Sequence, residues 1–193
     1  MADILKNLGV IGKILVGGGL FALLFFATSR EDEIVFADLN ADGFDEKITL
    51  YYGVVRVYAD SVLLLETDHS WDVREIMVGD FTNNGKNELA LYLWKRGNYG
   101  PSLPFWVDKN DRSYKQHLFL YEWNDGLKAL WHSSNLPYIN VKTKLGDFDG
   151  DGKNEITVLE RPYEWGNWGD SGEAVAVWQW DEWGFKNLWR REI

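Results

Sequence analysis

Three stretches of this 193-residue chain place oxygen-bearing side chains at alternate positions of a short loop. The fullest reads Asp147, Asp149 and Asp151 at the first, third and fifth positions, Gly152 at the sixth and Glu155 at the ninth. Alternate carboxylates converge when a loop turns sharply, and a glycine permits the turn. Held together without a cation, they repel. Oxygen-only donors suit a hard cation, Ca²⁺ before Mg²⁺. An EF-hand opens the same way, but its bidentate glutamate comes at the twelfth position and helices flank it. Here a strand-like run follows at once, so that motif is rejected. The first loop repeats the spacing with Asp38, Asn40, Asp42, Gly43 and Glu46. The second carries Asp80, Thr82, Asn84, Gly85 and Glu88; two carboxylates are replaced, which lowers its expected affinity. The bland alternative is that these Asp-Gly and Asn-Gly pairs serve only as turn formers.

Other chemistry is sparse. With no cysteine, disulfides, zinc–thiolate sites and thiol nucleophiles are excluded. His69, His117 and His132 form no metal-spaced pair. Ser171 lacks the surroundings of a nucleophile elbow. Glu160, Glu164, Asp170 and Glu173 offer carboxylates for glycoside hydrolysis, but their separation is not fixed by sequence. The chain is therefore expected not to be an enzyme. A net charge of −10 argues against nucleic acid. Eleven tryptophans point to an aromatic core or binding face. Gly97-Asn-Tyr99-Gly100 and Gly166-Asn-Trp168-Gly169 echo each other in two long insertions. Tyr99, Trp106, Trp165 and Trp168 are the candidates for a partner or carbohydrate surface. The competing expectation is that these loops fold back between sheets. Trp123, Trp131, Trp180 and Trp189 are expected in the core.

The elements that must position the loops are strands. Each loop is preceded by an apolar or alternating run (Ile34–Phe36, Ile76–Val78, Tyr138–Leu145) and followed by another (Lys47–Tyr52, Leu89–Trp94, Ile156–Glu160). Hairpins follow: Val55–Tyr58 with Val62–Leu65, then Leu120–Trp123 and Val177–Trp180 with their return strands. The sequence predicts an all-β domain of three four-stranded antiparallel units over residues 31–193.

The Asp-rich spacing with a strand directly behind it resembles the FG-GAP/VCBS repeats of integrin-α-like β-propellers. The resemblance rests on the three loops and their adjoining strands. It implies propeller blades, a cation in each first hairpin, and backbone carbonyl ligands at the seventh position (Phe44 and Lys153). It also implies a role in adhesion or protein binding. The chain departs from the family in having few repeats and no clear Phe-Gly…Gly-Ala-Pro stretch. Three blades are too few to close a ring, so an open or partner-completed propeller is expected.

Residues 1–30 hold the apolar run Ile14–Thr28, behind Lys6 and Lys13 and ahead of acidic residues. Two expectations stand, a single-span membrane anchor and a cleaved signal peptide. The positive-inside rule puts the β-domain outside the cytoplasm in the first case. The functional expectation is a Ca²⁺-stabilised extracytoplasmic module for protein binding or self-association. An accessory subunit of a membrane complex and a carbohydrate-binding domain are the alternatives.

Overall fold

The computed structural model describes residues 32–99, 105, 108–109, 111–163 and 172–193. These lie in one compact unit, Glu31–Ile193. The anchor or signal segment and Trp106, Trp165 and Trp168 lie outside the described residues. Among those described, no helix is long and apolar enough to cross a membrane.

Twelve strands run in chain order: β1 (Glu33–Ala37), β2 (Glu46–Tyr51), β3 (Val54–Ala59), β4 (Val62–Glu66), β5 (Asp72–Gly79), β6 (Glu88–Arg96), β7 (Tyr114–Trp123), β8 (Leu127–His132), β9 (Ile139–Gly146), β10 (Glu155–Arg161), β11 (Ala174–Asp181) and β12 (Gly184–Glu192). They form three four-stranded sheets, β1–β4, β5–β8 and β9–β12, each with strands in sequential order. Every pairing is antiparallel. The all-β reading and the three four-stranded sheets are as the sequence predicts.

Two cores explain the strand patterns. One joins the first sheet to the second through Ile48, Leu50, Val55 and Val57 against Val73, Leu89, Leu91 and Phe119. The other joins the second to the third through Phe81, Ala90, Tyr92 and Leu120 against Ile156, Val158 and Ala176. The middle sheet is thus covered on both faces. Its β6 therefore reads as a continuous apolar run, Leu89-Ala-Leu-Tyr-Leu93, fully buried. The first sheet is covered on one face, and β2 alternates buried with exposed residues.

Trp189 departs from expectation. It pairs with Val177 on the face of the third sheet turned away from the second, and it is 48% exposed. Its neighbours Trp178 and Trp180 sit on the covered face. Trp131, Trp180 and Phe185 pack edge to face with ring centroids 5.4–6.1 Å apart. Trp123 is half-buried. The sheets approach closely where the second loop begins. A Cβ on Gly79 would lie 2.5 Å from Leu145 Cδ2, so a larger residue there requires the Leu145 side chain to shift.

Candidate metal centre

Each Asp-rich loop joins the first two strands of its sheet, and the three share one hydrogen-bond scheme. The first-position aspartate accepts the backbone N–H of the sixth-position glycine: Gly43 to Asp38 at 2.9 Å, Gly85 to Asp80 at 2.9 Å, Gly152 to Asp147 at 3.0 Å. Those glycines have φ of +89°, +81° and +86°. No atom lies within 4 Å of where their Cβ would be, so it is backbone conformation that demands glycine there. The fifth-position side chain accepts the seventh N–H at 2.8 Å in all three loops, from Phe44, Lys86 and Lys153. These are Asx turns, the local reason Asp and Asn recur at these positions.

The ninth-position glutamates are not surface groups. Glu46, Glu88 and Glu155 are 1–2% exposed. One oxygen of each accepts the N–H of the second-position residue: Leu39 at 2.8 Å, Phe81 at 2.8 Å, Phe148 at 3.0 Å. Each glutamate thereby clamps the entry of its loop to the strand that leaves it. Burial raises the Glu88 pKa above the usual carboxylate range, against the pull of the Thr82 hydroxyl and the Phe81 and Thr82 amides.

The loops differ in what holds the other glutamate oxygen. In the first, the Asn40 amide bridges Glu46 Oε1 at 3.0 Å and Asp42 Oδ2 at 2.9 Å. In the second, the Thr82 hydroxyl donates to Glu88 Oε1 at 2.7 Å and Asn84 does so at 3.1 Å. In both loops, amide or hydroxyl donors sit among the carboxylates. In the third, Asp149 and Asp151 cannot donate. There Gln179 reaches in from β11, donating to Glu155 Oε1 at 2.7 Å. Asp147, Asp149 and Asp151 are left exposed, with a carboxylate oxygen of each within 4.8 Å of the others. Oxygens bound to one Ca²⁺ at ~2.4 Å stand at most about 4.8 Å apart, and these three meet that spacing. Among the described residues this is the one such group. In the first loop Asp38 Oδ1 is buried without a partner. Asp80 accepts at both oxygens, from Asn84 N and Gly85 N, as Asp147 does from Gly150 N and Gly152 N.

The loops are also tied to one another. The eighth-position Asn87 donates its side-chain amide to Asp38 O at 3.0 Å, and Asn154 donates to Asp80 O at 2.9 Å. Asn83 and the Asn154 backbone exchange two more bonds, at 2.6 and 3.2 Å. The recurring Asn-Glu at the eighth and ninth positions was the visible signal for this clasp. The first loop has Asp45 at the eighth position. Nothing in the sequence pointed to Gln179.

The remaining candidates fall in separate places. His117 is buried, with Nδ1 3.1 Å from Ser133 O, and burial lowers its pKa to about 4, so it is neutral. His132 stacks on Phe119 at 3.8 Å, and the exposed His69 pairs with Glu66 at 2.8 Å. Ser171, Glu164 and Asp170 lie outside the described residues. Glu160 is buried and ion-paired with Arg190 at 2.8 Å. Tyr99 is half-buried. The bases of the two aromatic insertions meet, since Trp94 at the end of β6 lies 5.8 Å from Tyr163 just past β10.

No family model matches the chain, and no curated protein matches it.

Proposed function

We propose that this chain is a non-enzymatic, Ca²⁺-stabilised binding or scaffolding module of the FG-GAP/VCBS type, an open propeller of three blades that acts outside the cytoplasm. The carboxylate triad Asp147, Asp149 and Asp151 carries the reading. It is a preformed set of hard oxygen donors in a loop whose backbone is already fixed by five hydrogen bonds. The third loop is the principal Ca²⁺ site. The first, held by the Asn40 amide, is a lesser one. The second is closed by its own hydroxyl and amide donors and contributes least. The cation's work is structural: it relieves repulsion in the third loop, which the Asn83–Asn154 bonds connect to the second. The partner is a protein or a second copy of the chain, met through the uncovered faces of the outer sheets.

The test is thermal melting of the full chain in detergent, with EDTA and with saturating Ca²⁺. An ion that binds only the folded state at a hundredfold excess over its Kd adds ~2.7 kcal/mol. For a domain of this size that raises Tm by roughly 5–10 °C. Asp149→Ala should remove most of the rise. An unchanged Tm across saturating Ca²⁺ counts against the metal role. Crosslinking followed by native purification tests the scaffold role, which requires a stoichiometric partner or self-association.

A further inference from the structure

The glutamates Glu46, Glu88 and Glu155 each open the second strand of their sheet, so the three strands can be compared position by position. Counted from them, Ile48 and Leu50 correspond to Ala90 and Tyr92 and to Thr157 and Leu159. Lys47 and Thr49 correspond to Leu89 and Leu91 and to Ile156 and Val158. Successive strand residues face opposite ways, so these sets mark the two faces of each sheet. Both joints inside the chain use them in one order. The Ile48 face of the first sheet packs on the Leu89 face of the second. The Ala90 face of the second packs on the Ile156 face of the third. Among the described residues one face of each kind is left uncovered, the Lys47 face of the first sheet and the Thr157 face of the third.

Both leftover faces carry apolar side chains. The first presents Ile34, Phe36, Tyr51 and Leu63, each 48–62% exposed. Its Arg56 is ion-paired with Glu66. On the third sheet Leu159, Val175 and Val177 are half-buried at the centre, beside the exposed Trp189. Lys142, Lys144, Lys186 and Arg191 lie around them. These cations outnumber the carboxylates of that face, Asp181 at the hairpin end and Glu155, which Gln179 holds. Two such faces would repel each other. An aromatic face suits them, because cations are drawn to ring faces.

Area and number set how many copies meet. Four strands ~4.8 Å apart, each about six residues long at ~3.3 Å per residue, give a face of roughly 400 Å². One joint between copies covers roughly 800 Å², the upper end of non-specific contacts, whereas two joints cover roughly 1,600 Å², the standard size of a specific interface. A propeller ring takes about four to eight sheets. With three sheets in each chain, one copy is too few, three are too many, and two fit.

We infer that two copies of this chain close head to tail into one ring, the Thr157 face of each packed on the Lys47 face of the other. The inference rests on the reading of the sheets as propeller blades, and it names the partner as a second copy. Head-to-tail contacts give a ring when the rotation closes and a filament when it does not. Closure is what doubles the buried area.

The experiment is light scattering of the full chain in detergent over a concentration series. The expected result is a dimer with a Kd on the order of micromolar or tighter. Phe36→Lys and Trp189→Lys each alter an exposed side chain on one of the two faces. Each alone should raise the Kd by about tenfold or more. Should Phe36→Lys not melt cooperatively, Ile34→Lys on the same face replaces it. The chain has no cysteine, so single ones can be placed for crosslinking. Thr49→Cys chains mixed with Val177→Cys chains should be joined by a short bismaleimide, and neither should join to itself. Four results would overturn the inference: a monomer at about a hundred times a micromolar Kd, a mass that grows past two copies with concentration, a dimer that survives the changes on either face, or like-with-like crosslinks in place of mixed ones. The melting test in EDTA and Ca²⁺ is read separately. A monomer whose Tm still rises with Ca²⁺ defeats the ring and leaves the metal reading standing, and a ring without that rise does the reverse.

Discussion

The side-chain amide of Asn154 donates a 2.9 Å hydrogen bond to the backbone carbonyl of Asp80, 74 residues earlier. One short loop thereby holds the first residue of another, and the same residue's backbone is bonded to Asn83. Asn154→Asp removes the donor and faces a carboxylate toward a carbonyl. We expect a loss of about 1–3 kcal/mol, seen as a lower urea midpoint with an unchanged m-value. Asn87→Asp, at the more exposed bond to Asp38, should cost less.

Gly152 has φ +86° with open space around its missing Cβ. Gly152→Ala therefore tests backbone strain without a clash. It should destabilise by about 1–2 kcal/mol. It should also weaken any Ca²⁺-dependent rise in Tm, because the Gly152 N–H orients Asp147 at 3.0 Å. Equal loss with and without Ca²⁺ would separate the turn from the metal.

Asp151→Asn keeps the side-chain acceptor for Lys153 N–H but removes a charge. Without Ca²⁺ the variant should be as stable as the parent or slightly more so, since repulsion among the three aspartates falls. With Ca²⁺ its Tm should rise less. Melting curves in EDTA and in Ca²⁺ give both quantities from one sample.

Glu75 on β5 is largely desolvated and faces the Glu33 charge, and its pKa is pushed up to about 7. The folded state therefore holds this proton more tightly than the unfolded chain. Its contribution is fully present below pH 4.5 and is lost as pH rises to about 7. His117 acts in the opposite direction. Lowered to about 4, it favours the folded state above pH 6.5 and loses that advantage as pH falls toward 4. Glu75→Gln should leave stability little changed at pH 4 and raise it at pH 8. The gain at pH 8 should be roughly 1–2 kcal/mol after allowance for solvent screening. Urea titrations at the two pH values check the sign.

The strands and loops were legible because each carries a local signal. Asp and Asn at alternate loop positions make Asx turns within a few residues, and glycine at the sixth position answers a positive φ. Neither needs a distant partner. Continuous apolar runs at Leu89–Leu93 and alternation at β2 were both readable as strands. The difference between them, a sheet covered on two faces against one, belongs to the packing of the sheets. The same packing decides the tryptophans. Trp178 and Trp189 look alike in sequence, but strand parity turns one inward and the other out to solvent.

The sequence by itself determined three Asp-rich loops, the strands around them, the absence of thiol chemistry and the acidic charge. Tertiary structure alone decided which loop leaves its glutamate to a donor from another strand. That depends on Gln179 reaching Glu155 from a strand 24 residues on, whereas Asn40, Thr82 and Asn84 satisfy their glutamates from within the loop. It also decided that Tyr92, Asn135 and Trp178, far apart in the chain, share one cavity. Such convergence is set by how two sheets stack, and sequence spacing carries no record of it.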